Sequence, residues 1–162
     1  MAERKNILDI RRHASGYNDD FAAWALAQAD YLASGRFADL DLENLADEVS
    51  GLAKRDFRRL VSAIEIVLLH LLKFDQQADR RTRSWVLSIL EHRERIFRSL
   101  RENPSFATRL DDALQDAYRT ARLAAARETQ LPLANFAAEC PYSWSDVVER
   151  PFDPDTSFPT EN

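Results

Sequence analysis

The stretch from Leu42 to Phe74, LENLADEVSGLAKRDFRRLVSAIEIVLLHLLKF, decides the fold. It holds no Pro and a single Gly, Gly51. As one helix it would be about 50 Å long, at roughly 1.5 Å of rise per residue. Asp41 stands before it as an N-cap, and Glu43, Asp47 and Glu48 follow where the helix dipole favours acids. Lys73 suits the opposite end. From Phe57 the apolar residues fall at Leu60, Ile64, Val67, Leu68, Leu71 and Leu72, which is helical spacing and not strand alternation. The run IVLLHLL is apolar nearly all round and is expected at the centre of a core. The first half carries a thinner stripe, Leu42, Leu45, Val49 and Leu52. Gly51 lies between the halves and marks the one place where the helix would bend or break.

Shorter helical segments flank this one. A first helix is expected at about 19–34, capped by Asn18 or Asp19 and stopped by Gly35, with Phe21, Trp24, Ala25 and Leu32 facing inward. It should lie along the first half of the long helix. After the polar connection DQQADRRTR, a third helix is expected at about 84–101, with a stripe of Trp85, Ile89, Ile96 and Leu100, ended by Asn103-Pro104. A fourth, at about 106–129, would be capped by Ser105 and line one face with Leu110, Ala113, Ala117, Ala121 and Ala124. A short element near 143–149 follows. The sequence therefore predicts an all-α fold: a four-helix bundle with one long central helix, about 42–74, and an irregular C-terminal wrap. One helical domain would cover 17–150, with a mobile N-terminal arm at 1–16 and a Pro-rich tail at 151–162. Neither end has an apolar face to bury.

The 162 residues carry a net charge of −5, so the molecule as a whole is not a basic nucleic-acid binder. The charge is uneven. Residues 19–50 hold eight acidic residues and one Arg, whereas 76–102 hold seven Arg against four acidic residues. Cys140 is the single cysteine, which excludes an internal disulfide and fits a reducing compartment. The opening MAERKNILDIRRHASG has no apolar leader core, and no run of eighteen apolar residues exists. The expectation is a cytoplasmic protein with no membrane association.

Several separated blocks, YNDDFAAWALAQADYL, LDLENLADEVSGL, LLHLLKF, RTRSW and ETQLPLANFAAECPYS, match in order the pattern of a bacterial family. Over about residues 17–150 the chain resembles domain-of-unknown-function family twenty-nine. The resemblance implies an all-helical fold and a bacterial source. That family has no established activity, so it implies no catalytic residue. It marks Asn44 and Glu48, His70 and Lys73, and Arg83, Ser84 and Trp85 as positions of interest.

A few polar residues stand out on their own. His70 and Lys73 share a helix face. A short reversal after Phe74 would bring them to Arg83 and Trp85, and a returning fourth helix would bring Glu128. These five residues form a candidate anion-recognition patch. Arg93 interrupts the apolar stripe of the third helix and needs a partner, for which Glu65 is the expected acid. Glu43, Asn44, Asp47 and Glu48 form an acidic patch. No Glu-x-x-His or HExxH occurs, and the three histidines are far apart in sequence, so neither metal nor cofactor is expected. Arg80, Arg81, Arg83, Arg95, Arg98 and Arg101 form an arginine-rich region that would contact phosphates in a nucleic-acid-binding reading.

No catalytic constellation appears. The leading expectation is thus a non-enzymatic interaction or scaffold protein with an unidentified protein partner, homo-oligomerisation being compatible with it. The alternatives are an accessory nucleic-acid binder using 80–101 and an enzyme with a small anionic-substrate pocket at the His70, Lys73 and Trp85 end.

Overall fold

A computed structural model describes residues 16–156 and residue 158. Among them there is no strand, and the chain is all-α, with a long helix and an irregular C-terminal segment. The α-helices are α1 (Phe21–Ala33), α2 (Leu42–Gln76), α3 (Arg83–Glu102), α4 (Leu110–Thr129) and α5 (Trp144–Glu149). No helix among the described residues is long and apolar enough to cross a membrane. The chain divides into two compact units, 1–53 and 54–162, with the boundary inside α2. The expectation of a mobile arm at 1–16 lies outside the described residues apart from Gly16.

The first unit is built around the turn between α1 and α2. Asp20, not Asn18 or Asp19, caps α1, accepting the Ala23 N–H at 3.0 Å. Gly35 ends the helix with φ +72°, a left-handed conformation that a side chain would strain. Trp24 and Gln28, one turn apart, are the buried residues of α1. The Trp24 Nε1–H donates to Asp41 Oδ2 at 3.1 Å, and Gln28 Oε1 accepts the Asp41 N–H at 2.8 Å. Tyr17 closes the ring cluster, edge-on to Trp24 at 4.9 Å and to Phe21 at 5.7 Å. These polar links turn Trp24 toward the connection. Phe21 and Leu32, expected inside, stay half exposed.

In the second unit, α2 from Lys54, α3 and α4 share one core. Leu60, Ile64, Val67, Leu68 and Leu71 of α2 are fully buried, together with Ile89 and Ile96 of α3. Ala113, Ala117, Ala121 and Ala125 of α4 are also fully buried. Their small side chains at every fourth residue bring the α4 backbone close to its neighbours. The helical run of 106–129 does not begin at a Ser105 cap. Pro104–Arg109 is a 3-10 segment without a side-chain cap, and α4 starts at Leu110. The tighter winding seats Phe106 in the core, edge-on to Phe57 at 5.3 Å. Gln130, with φ 59°, ends α4, and Leu131-Pro132 prevents its continuation.

The C-terminal segment is anchored by specific contacts. Tyr118 is buried, and its hydroxyl donates to the Ala137 carbonyl at 2.7 Å. Ser143 and Asp146 form a reciprocal capping box at the start of α5. Beyond α5, Phe152 and Phe158 meet Phe74 edge-on at 5.1 and 6.4 Å. The sequence gives the tail no apolar face, yet these two rings, spaced by the prolines, find one on α2. Residues 157 and 159–162 lie outside the description.

Candidate functional site

The expected cluster at the end of α2 is assembled from three helices. His70 and Lys73 come from the last turns of α2, Trp85 from the first turn of α3, and Glu128 from the last turn of α4. The His70 and Trp85 rings lie 6.5 Å apart. The Lys73 ammonium sits 4.5 Å above the Trp85 ring and 2.8 Å from Glu128 Oε2. Arg83 meets Asp155 at 3.5 Å instead. Burial first, and the Lys73 charge second, push His70 down to about 4. Its imidazole is neutral at physiological pH, and its buried Nδ1 has no hydrogen-bond partner. The cluster therefore offers a neutral ring and one already neutralised ammonium, not an excess of cations.

Arg93 is not paired with Glu65. Its Nε–H donates to the Val147 carbonyl at 2.7 Å. The two terminal nitrogens donate to Arg150 O at 2.6 Å and to Asp146 O at 3.2 Å. These carbonyls close the C-terminal end of α5, where a helix leaves acceptors unpaired and its dipole is negative. A cation is satisfied there without an acid. Glu65 makes no ion pair among the described residues, and burial raises its carboxyl above the usual range. Beside this clamp, Arg150 grips Asp75 with both terminal nitrogens, at 2.7 and 2.9 Å, and the Tyr142 hydroxyl donates to the same carboxylate at 2.8 Å.

The acidic patch is used locally. Asn44 donates to Asp41 Oδ2 at 2.7 Å, and that bond is the main reason the Asp41 carboxyl lies below its usual range. Glu48 accepts from the Tyr17 hydroxyl at 2.7 Å. Glu43 and Asp47 point to solvent. Among the described residues no three His, Cys, Asp or Glu side chains converge as a metal site would require.

Two other surfaces are chemically distinctive. On the first unit the stripe expected to lie under α1 is open: Leu42, Val49 and Leu52 are 67%, 64% and 55% exposed. The polar links run instead from Trp24 and Gln28 of α1 to Asp41, and from Tyr17, which precedes α1, to Glu48. On the second unit a groove of about 670 Å³ runs between α2 and α3. Arg55, Arg58 and Arg59 come from α2, and Arg95 and Arg98 from α3. Of the arginines singled out in sequence only these last two line it. Arg81 bonds the Phe74 carbonyl and covers the Phe74 ring. The α2 arginines were legible in LAKRDFRRL as an i, i+3, i+4 set, but the apolar pattern of α2 draws the eye past them.

The family model described as Domain of unknown function DUF29 matches residues 17–153. Nothing among the curated proteins or the solved structures matches the chain.

Proposed function

We propose that this chain, which belongs to the family of Domain of unknown function DUF29, is a non-enzymatic interaction protein of the bacterial cytoplasm that docks an amphipathic helix on its first unit. The observation behind this reading is the open stripe of Leu42, Leu45, Val49 and Leu52. Their spacing is that of the a and d positions of two heptads, the pattern by which one helix receives another. Three of the four are more than half exposed, and Phe21, Leu26, Leu32 and Phe37 of the same unit are exposed as well. A self-sufficient monomer rarely leaves so much apolar surface in water. Burying one such side chain fully is worth about 1.5–3 kcal/mol. A partner helix covering four would gain enough to offset its own ordering.

The test is a photocrosslinking residue at Leu52, compared in cells with one at Leu123, an exposed leucine of α4. A discrete adduct from position 52 alone, removed by Val49→Glu, supports the reading. A self-adduct would identify the partner helix as that of a second copy. Equal yields at the two positions, or an adduct that survives Val49→Glu, would overturn it.

A further inference from the structure

The groove between α2 and α3 has a chemistry that the docking stripe does not use, and it stands independently of that stripe. Its walls carry Arg55, Arg58, Arg59, Arg95 and Arg98 against only Asp56 and Glu102, in a molecule whose net charge is −5. Arg59 is engaged with Asp56 at 2.8 Å, and Arg95 with Glu91 at 2.6 Å. Both pairs are well exposed, the kind worth little in water and readily exchanged. Arg58 and Arg98 have no acidic partner among the described residues. Ser62, Ser99, Ala63 and Ile66 also line it. The α2 wall spans residues 55–66, about 16 Å at roughly 1.5 Å per residue.

We infer that this groove binds the phosphodiester backbone of a nucleic acid, without reading its bases. Every full cation in the lining is an arginine, whose planar fork matches phosphate oxygens two at a time. Two serines, Ser62 and Ser99, add hydroxyl donors to the lining. No Phe, Tyr or Trp lines the groove, and its single ring, the half-buried His92 held against the Ser88 carbonyl, gives no row of platforms on which successive bases would stack. Phosphate contacts position a nucleic acid but carry no sequence information. The groove length accommodates several successive phosphates, and the two walls would grip them from both sides. An acidic peptide presents its carboxylates on separate flexible stems and fits two fixed rows of forks less well.

The experiment is fluorescence anisotropy of the full chain with a labelled oligothymidine 20-mer, with a mixed-sequence 20-base-pair duplex, and with polyglutamate of similar length. The expected result is sequence-independent binding of the strand, the duplex or both at 50 mM salt. Three to four neutralised phosphates would give log K a slope against log salt of about −2 to −4. Arg58→Ala combined with Arg98→Ala should weaken binding at least tenfold. Arg101→Ala combined with Arg119→Ala, exposed arginines outside the groove, should leave it unchanged. Because Arg58 and Arg98 are exposed, the double variant should melt as the parent does, and Arg58→Lys with Arg98→Lys should restore most of the salt-dependent binding. The inference is overturned by absence of binding to both nucleic acids, by an equal loss in the control variant, or by polyglutamate binding as tightly.

Discussion

Arg93→Met removes the clamp on α5 while keeping most of the bulk. Arg93 is 6% exposed, and its guanidinium makes three hydrogen bonds to carbonyl oxygens, at 2.7, 2.6 and 3.2 Å. Hydrogen bonds to a charged group contribute about 1.5–3 kcal/mol each, which sets an upper bound near 6 kcal/mol once the long third bond is discounted. Two effects reduce it. Burying the guanidinium itself carries a desolvation penalty that the variant no longer bears. The Arg150 carbonyl lies at the end of the helix, where water can replace the lost donor. The expected loss is about 3–4 kcal/mol in urea unfolding of the second unit. Arg93→Lys should fall between variant and parent, because one ammonium reaches fewer of the three acceptors. Hydrogen exchange adds a local readout: amides of 144–152 should exchange faster in Arg93→Met than those of α4. A loss under about 1 kcal/mol, with exchange in 144–152 unchanged, would show that α5 holds its place without the clamp.

The pH dependence of stability should carry a His70 component. Its folded pKa, about 4, lies below the 6.5 of the free side chain, so between these values the unfolded chain takes up a proton that the folded one refuses. Stability is therefore intact above about pH 6.5 and falls toward pH 4, by about 1–2 kcal/mol after discounting for partial exposure. Urea unfolding at both pH values, compared between the parent and His70→Gln, isolates this from the carboxylates; identical pH profiles would count against it. Gly51→Ala should stabilise by about 1 kcal/mol, because α2 is helical through this position and an added Cβ meets nothing within 4 Å. A melting temperature that fails to rise by a few degrees would mean the helix is interrupted there in solution. Tyr118→Phe should cost about 1 kcal/mol through the lost bond to Ala137 O, and a neutral result in thermal melting would show that water replaces it.

Period and punctuation carried most of the fold. The spacing of Leu60, Ile64, Val67, Leu68 and Leu71 can be satisfied only by a helix in a core, and Gly35 and Pro104 stop helices for local steric reasons. Much of the end cluster was legible too, because a short reversal leaves His70, Lys73 and Trp85 few other places to go. What failed depended on partners that periodicity does not encode. Arg93 sits on an apolar face and demands a counterpart, but the backbone carbonyls of a six-residue helix 53 positions away leave no mark in the sequence. The same holds for Phe152 and Phe158, whose partner Phe74 is set by the path of the tail. Arg83 was assigned to the end cluster by proximity in sequence, and the turn preceding α3 sends it to Asp155 instead.

The two surfaces also show why net charge is a poor guide to this molecule. Charges act on a docked ligand over about a screening length, some 8 Å at physiological ionic strength. The groove lining presents Arg55, Arg58, Arg59, Arg95 and Arg98 against Asp56 and Glu102, with Glu91 paired to Arg95. The eight acidic residues of 19–50 account for most of the net charge, and of these Asp41 and Glu48 are occupied with Trp24, Asn44 and Tyr17. Contact at the groove then depends on short-range pairing between guanidinium forks and phosphate oxygens. On this reading a helix docked at Leu42–Leu52 and a strand held at Arg58 and Arg98 answer to different forces, apolar burial in one case and counterion release in the other. Raising the salt should release the strand while leaving the helix in place.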